Sequence, residues 1–392
     1  MEVIVNLLPI VTGGGLQNAL SFLSSFADNS NGGEFVFLVR KDTDIHIQCQ
    51  SRGLATIPVG NCNKERFKFE MSAKSRFRKG QVCFTLFGPV MLGTSGHLIN
   101  VVGCAYSNLF YPEIPFWSYL PFFVRMKKEA IDLYRRHQLS KGDFWIFETE
   151  ALKKRAIELC HFPYERVGVV QMAVSTLVSR SNANPETMRG LSKKCGERFK
   201  FLFLSGAHPN KRLHLLPSIG SQMLQMGHEN FTFITTFEEN TPYAMFVLSE
   251  IEKHGLSNHF VNVGKVSPSD VSSLIASIDC ICTFSLLESF SNNFVEAWKM
   301  EVPLIVTDGD WSRLSCGEGA LYVRPDSPKE CAETLIAISS DKLLASSQVL
   351  KGSLQLDTYL DAGMKLRLYL EYIAKAAEIG CCPKENKKIK WF

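Results

Sequence analysis

Short apolar runs alternate along the chain with stretches whose apolar residues recur at helical spacing. In the first half, Val3–Leu8, Phe35–Val39, Val82–Phe87, Leu98–Ala105, Trp145–Phe147 and Val167–Gln171 read as strands. Runs that are apolar on both faces suit a parallel sheet covered by helices. Between the first two, Leu16, Leu20, Leu23 and Ala27 fall on one helical face. The segment Ser175–Arg198 is polar and reads as a linker followed by a surface helix. A second alternating series then begins: FKFLFLSG, FTFITTF, HFVNVGKV, DCICTFS, VPLIVTD and ALYVRP. Two successive α/β halves result. A last helix is expected over about Asp357–Ile379, with Leu360, Met364 and Leu368 in line and Leu366, Leu370 and Ile373 widening the stripe. Such a helix has to bury one face.

Length and composition narrow the class. The 392 residues, 45% hydrophobic and 21% charged, can fill two cores and exclude a mainly disordered chain. A net charge of +4, from 43 basic and 39 acidic residues, is no nucleic-acid footprint. Residues 1–172 nevertheless hold 20 Lys/Arg against 15 Asp/Glu, and the remainder 23 against 24, so the positive excess sits in the first half. The 12 cysteines are scattered, with no C-x-x-C pair, and read as free thiols in a reducing cytoplasm. The start, MEVIVNLLPIVTGGG, reads as a strand running into a glycine loop rather than a signal peptide. Gly80–Pro112 carries no Asp, Glu, Lys or Arg, but Gly, Pro and polar residues interrupt it. Two buried strands explain it better than a membrane span.

The chemistry concentrates in Asp279–Asp308, DCICTFSLLESFSNNFVEAWKMEVPLIVTD. A buried strand ends near Ser285, a loop carries Glu288, and a helix is expected to start near Asn292 or Asn293, with Glu296 in its first turn. Unpaired N–H groups at such a helix start suit a diphosphate, and flanking carboxylates can grip sugar hydroxyls. Taken alone, the two glutamates read first as a dipole partner and a solvated loop residue. The segment FLFLSGAHPNKR adds a second strand end, Ser205-Gly206, followed by His208, Lys211 and Arg212. Cations in that loop would neutralise a pyrophosphate.

Together these residues resemble the retaining glycosyltransferases of family 4. The resemblance rests on Glu288 and Glu296 in ESFSNNFVEAW, the following VPLIVTD, GALYVRPDSP, and the HPNKR loop. It implies the GT-B fold: two Rossmann-like parallel-sheet domains facing across a cleft. An acceptor domain would span 1–173, joined by the C-terminal helix of about 357–392, and a donor domain 174–356. By that resemblance Glu288 contacts the donor sugar, Glu296 holds the ribose, and Lys211, with Arg212 or His208, binds the diphosphate. Lys265 and Val266 would lie by the base, and the turn at Ser291, Asn292 and Asn293 by the phosphates. The Gly13-Gly14-Gly15 loop would meet the acceptor or a phosphate. The family commonly carries a histidine after an inner strand of the first domain; here the stretch ends in Tyr106, Ser107 and Asn108. Ser289 and Ser291 stand where glycines often flank the loop phenylalanine, and Ala207 where a basic residue is often found.

The implied activity is transfer of a hexose-type sugar from a nucleotide-diphosphate donor to a hydroxyl of a glycan or lipid-linked glycan, with no metal and no other cofactor. The ESFSN form of the loop looks most like bacterial O-antigen and capsule enzymes, often mannosyltransferases. Two other classes share the pattern: a nucleotide-sugar epimerase, which needs no acceptor, and a silent scaffold, which turns nothing over. Asp42-Thr43-Asp44 reads as a polar loop rather than a metal motif. Two stretches join basic and aromatic residues: Lys64–Lys79, with seven basic residues and three phenylalanines, and Phe116–Arg136. They suit a solvated helix face or docking on an anionic membrane surface, which would place the protein at the inner face of the membrane.

Overall fold

The computed structural model describes the chain apart from residues 1, 12, 30–34, 176–177, 381–388, 390 and 392. The end of the segment expected as a C-terminal helix over about 357–392 therefore lies largely outside the described residues. Two compact units are present: Met1–Ala173 with Leu360–Phe392, and Val174–Tyr359.

The first unit holds β1 (Val3–Asn6), β2 (Phe35–Arg40), β3 (Thr56–Val59), β4 (Val82–Thr85), β5 (Ile99–Cys104), β6 (Phe144–Phe147) and β7 (Val167–Val169). They form one sheet in the order β3-β2-β1-β4-β5-β6-β7, with every pairing parallel. The uncharged segment becomes β4 and β5, fully buried. No described helix is long and apolar enough to cross a membrane. The sequence pattern missed β3, whose four residues TIPV are half exposed and include Pro58. A short edge strand needs no apolar run, and its edge tolerates proline.

Gly13–Gly15 form the first turn of a helix, Gly13–Asn29, where Gly13 has φ +70°. The last helix differs from expectation. It runs Ala362–Gly380, because Asp361 Oδ1 accepts the Met364 N–H at 2.7 Å and caps the helix there. Its buried face is Leu366, Tyr369, Ile373 and Ala376, while Met364 is 44% exposed. That face joins the core of the first unit, with Tyr369 edge-on to Phe22 at 5.8 Å. Lys365 is buried beside it and donates to Asn18 Oδ1 at 2.9 Å, and burial pulls its ammonium down to about 8.

Gly168 in β7 explains how closely this helix docks. A Cβ there would lie 2.6 Å from the Tyr372 ring, whose hydroxyl accepts the Val169 N–H at 3.4 Å. Gly168→Ala should lower stability by about 1–3 kcal/mol through overpacking. Hydrogen exchange should show faster opening in Ala362–Gly380 than elsewhere; unchanged protection there would refute the tight docking.

The second unit holds β8 (Phe199–Phe203), β9 (Phe231–Thr235), β10 (Phe260–Asn262), β11 (Cys280–Thr283), β12 (Leu304–Thr307) and β13 (Leu321–Val323). Each falls inside one of the six apolar runs of the second series. The sheet order is β10-β9-β8-β11-β12-β13, again all parallel. Phe201, Phe203, Phe231 and Phe233 fill its core. Nine cysteines are free, and all but Cys62 are buried, among the described residues.

Candidate active site

In the second sheet β8 and β11 are neighbours, and the chain leaves them toward opposite edges. Loops at the carboxyl ends of two such strands splay apart, which opens a crevice for ligand. The two candidate segments of the sequence, HPNKR and SLLES, are those two loops. Asn210 fastens them together: its amide donates to Leu287 O at 2.9 Å and accepts from Leu287 N at 3.2 Å, and its carbonyl accepts from Leu286 N at 2.8 Å. His208 caps the short turn Pro209–Lys211 by accepting the Asn210 N–H at 3.1 Å.

This stapling brings Lys211 onto Glu288. Lys211 Nζ donates to Glu288 Oε1, which also accepts from Ser285 Oγ at 2.6 Å. Arg212 is buried, in the left-handed region at φ +54°, and its guanidinium pairs with the exposed Asp326. Burial lowers its pKa from the usual arginine value. Ser205, Lys211, Thr283, Ser285 and Asn293 line one small pocket. Gly206 borders open space, since a Cβ there would meet nothing within 4 Å. Ser205 N is held by Thr236 Oγ1 at 3.0 Å.

The helix after the loop runs Asn292–Lys299, with Ser291 at its N-cap. Asn293 locks its start to the sheet, donating to Leu204 O at 3.1 Å and Thr283 Oγ1 at 3.2 Å. Glu296 therefore stands in the second turn, not the first, and cannot be a dipole partner of the helix start. Its residue is 7% exposed. Among the described residues its carboxylate has neither a hydrogen-bond nor an ion-pair partner. Burial alone raises its pKa to about 7. Lys265 is exposed and Val266 half-buried on the loop after β10, and among the described residues no hydrogen bond or ion pair joins either to Glu288 or Glu296. Among the described residues no three His, Cys, Asp or Glu side chains gather as metal ligands.

With that geometry in hand, the comparisons are specific for this unit. Residues 198–341 match the family described as glycosyl transferases group 1. That match lies wholly within the second unit. Solved structures extend the likeness over the whole chain. HepE from Anabaena, in complex with UDP-glucose, superposes with a TM-score of 0.71 at 13% identity, covering 95% of this chain and 99% of that one. A glycosyltransferase from Rickettsia africae gives 0.68 at 14%, covering 96% and 98%. An α,α-trehalose-phosphate synthase (UDP-forming) from Burkholderia vietnamiensis gives 0.68 at 10%, covering 96% and 100%. These likenesses show the fold, which is GT-B. No curated protein sequence matches.

Around these loops the sequence left three supporting roles unread. Asn210 holds loop backbone and Asp326 pairs across 114 positions, which no local pattern marks, while Ser285 bonds Glu288 only three residues on. In the first unit, the residues standing where a histidine was expected are engaged elsewhere. Asn108 donates to Asp132 at 2.6 Å, Tyr106 lies under the Arg135 guanidinium at 4.5 Å, and Ser107 is buried in a short 3-10 turn.

Proposed function

We propose that the protein is a retaining glycosyltransferase that moves a hexose-type sugar from a nucleotide diphosphate onto a hydroxyl of a glycan or lipid-linked glycan. One observation carries the reading: Glu296 is a buried carboxylate with no partner, beside two loops that converge two cations and a second carboxylate. An unpartnered buried carboxylate costs stability unless a ligand supplies donors. A ribose diol offers two. Lys211 and Arg212 would take the diphosphate in place of Glu288 and Asp326, which hold them in the free protein. Their charge stabilises the leaving group, so the reading calls for no metal. Glu288 would then face the donor sugar, and attack from the same face as departure would retain configuration.

HepE was crystallised with UDP-glucose, so a UDP sugar is the first donor to test, with GDP-mannose second because of the ESFSN loop. We place the acceptor among bacterial surface polysaccharide intermediates on that same loop resemblance. The test is a thermal-shift panel of UDP, GDP, ADP, CMP and their sugars. One nucleotide at about a hundred times its Kd should add roughly 2.7 kcal/mol of stability. Product analysis with and without acceptor then separates transfer from epimerisation. No shift with any nucleotide, and no turnover, would replace the transferase by the silent scaffold.

A further inference from the structure

The helix Lys342–Leu356 in the second unit turns a row of leucines to solvent. Leu343, Leu350 and Leu354 are 83%, 63% and 61% exposed, and Ser347 between them is exposed too. Steps of four, three and four residues place these side chains within one narrow arc of the helix. What faces inward fixes that orientation. Gln348 donates to Glu318 O at 3.0 Å, and Gln355 to Ser315 O at 3.3 Å. Gly352 seats the helix against Trp298, since a Cβ there would lie 2.6 Å from the indole. Two amides and a glycine thus hold the buried face, and the leucines are left outside. Scattered exposed apolar residues need no explanation, but an aligned row does.

Alternating steps of four and three are the repeat of a helix that packs along another helix. The order of the row says which one. Its spacing reads the same in both directions about a midpoint between Gln348 and Val349. An antiparallel copy therefore sets Leu343 against Leu354, and the large Leu350 over the small Ser347, twice. The same register brings Lys342 across from Asp357 of the second copy, both exposed. It also sets Ser346 opposite Ser353 and the stem of Lys351 along Leu344, so no charge meets its like. Lys351 already pairs with Glu318 at 3.3 Å. Leu314, 57% exposed, stands next to the Ser315 that holds Gln355 and widens the apolar surface at that end. A two-fold axis demands such self-matching of size and charge, and an unrelated partner does not.

We propose that the protein forms a two-fold dimer through this helix, antiparallel to its copy, with Leu343, Leu350 and Leu354 as the shared apolar seam. The proposal concerns the second unit alone and holds for a protein with no transferase activity. Sedimentation of the full chain at micromolar concentration should give twice the monomer mass. Leu350→Ser should weaken the dimer about a hundredfold, because symmetry removes two leucines at roughly tenfold each. Its circular dichroism should match wild type, since Leu350 faces solvent in the single copy. Oxidation of introduced thiols tests the register. Leu343→Cys/Leu354→Cys should cross-link two copies, and neither single substitution should. Within one helix these positions lie about 16 Å apart, too far for a disulfide. A wild type that sediments as a monomer would overturn the proposal and leave the row to a different partner. A dimer that Leu350→Ser leaves intact would place the interface elsewhere. Single-cysteine variants that cross-link as well as the double one, or a double variant that does not, would overturn the antiparallel pairing.

Discussion

Lys211→Ala is expected to lower kcat/KM for sugar transfer about a thousandfold, most of it in kcat. The ammonium sits in a pocket with Ser205, Ser285 and Asn293, and its present partner is the carboxylate of Glu288. A charge held before the donor arrives needs no rearrangement to meet the phosphate charge that builds as the glycosidic bond breaks. Its removal therefore weakens the transition state more than the ground state. The loop itself should stay in place, because Asn210 and the Leu286 amide hold it independently of Lys211. Lys211→Arg is the informative companion. It keeps the charge in a wider, planar group, so partial recovery would show that charge dominates over shape. Turnover of Lys211→Ala within about threefold of wild type would mean that the lysine only steadies Glu288.

Glu296→Gln should bind nucleotide about 10- to 100-fold more weakly, the worth of one charge-assisted hydrogen-bonding group. It should also be the more stable protein at alkaline pH. Burial raises the folded pKa of Glu296 to about 7, above the ordinary 4.5. The neutral acid is the favoured buried form. Its contribution is thus fully present below about pH 4.5 and is lost as pH rises through about 7. Above that, the ionised carboxylate costs on the order of 3 kcal/mol in the free protein. Glutamine never ionises, so the Tm advantage of the variant should appear between about pH 5 and 8 and be absent at the acid end. Better stability joined to poorer binding is the mark of a group kept for a ligand. Equal Tm at both ends of the range, with unchanged nucleotide affinity, would return Glu296 to an ordinary core position.

How far the sequence revealed these features follows from what each depends on. The strands β8, β9, β11 and β12 are largely buried and carry dense apolar residues, so each could be read directly. β3 was invisible because TIPV is short, mostly not buried and broken by Pro58. The register of the last helix was misread because Leu360, Met364 and Leu368 make a competing stripe. The deciding residues were Asp361, whose cap starts the helix, and Tyr369, a polar-tipped residue that is almost fully buried. Glu288, Glu296 and Lys211 were legible as residue types at strand ends. The Arg212–Asp326 pair spans 114 positions, and no local pattern encodes it. Composition likewise marked Phe116–Arg136 as basic and aromatic but could not say which way its helix turns. That orientation depends on Asp132 finding Asn108 and Trp117.

The return of the chain to its first unit has a consequence for biosynthesis. The core around Phe22 and Phe84 is completed by Leu366, Tyr369 and Ile373, so its last contributors are made after the whole of the second unit. Val174–Tyr359 has all of its strands available earlier and can close first. Vectorial synthesis thus inverts the order of folding, and the half made first is the half finished last. Until Ala362–Gly380 is made, the apolar groove that receives it stands open, and this is the interval in which a nascent chain would need chaperone cover.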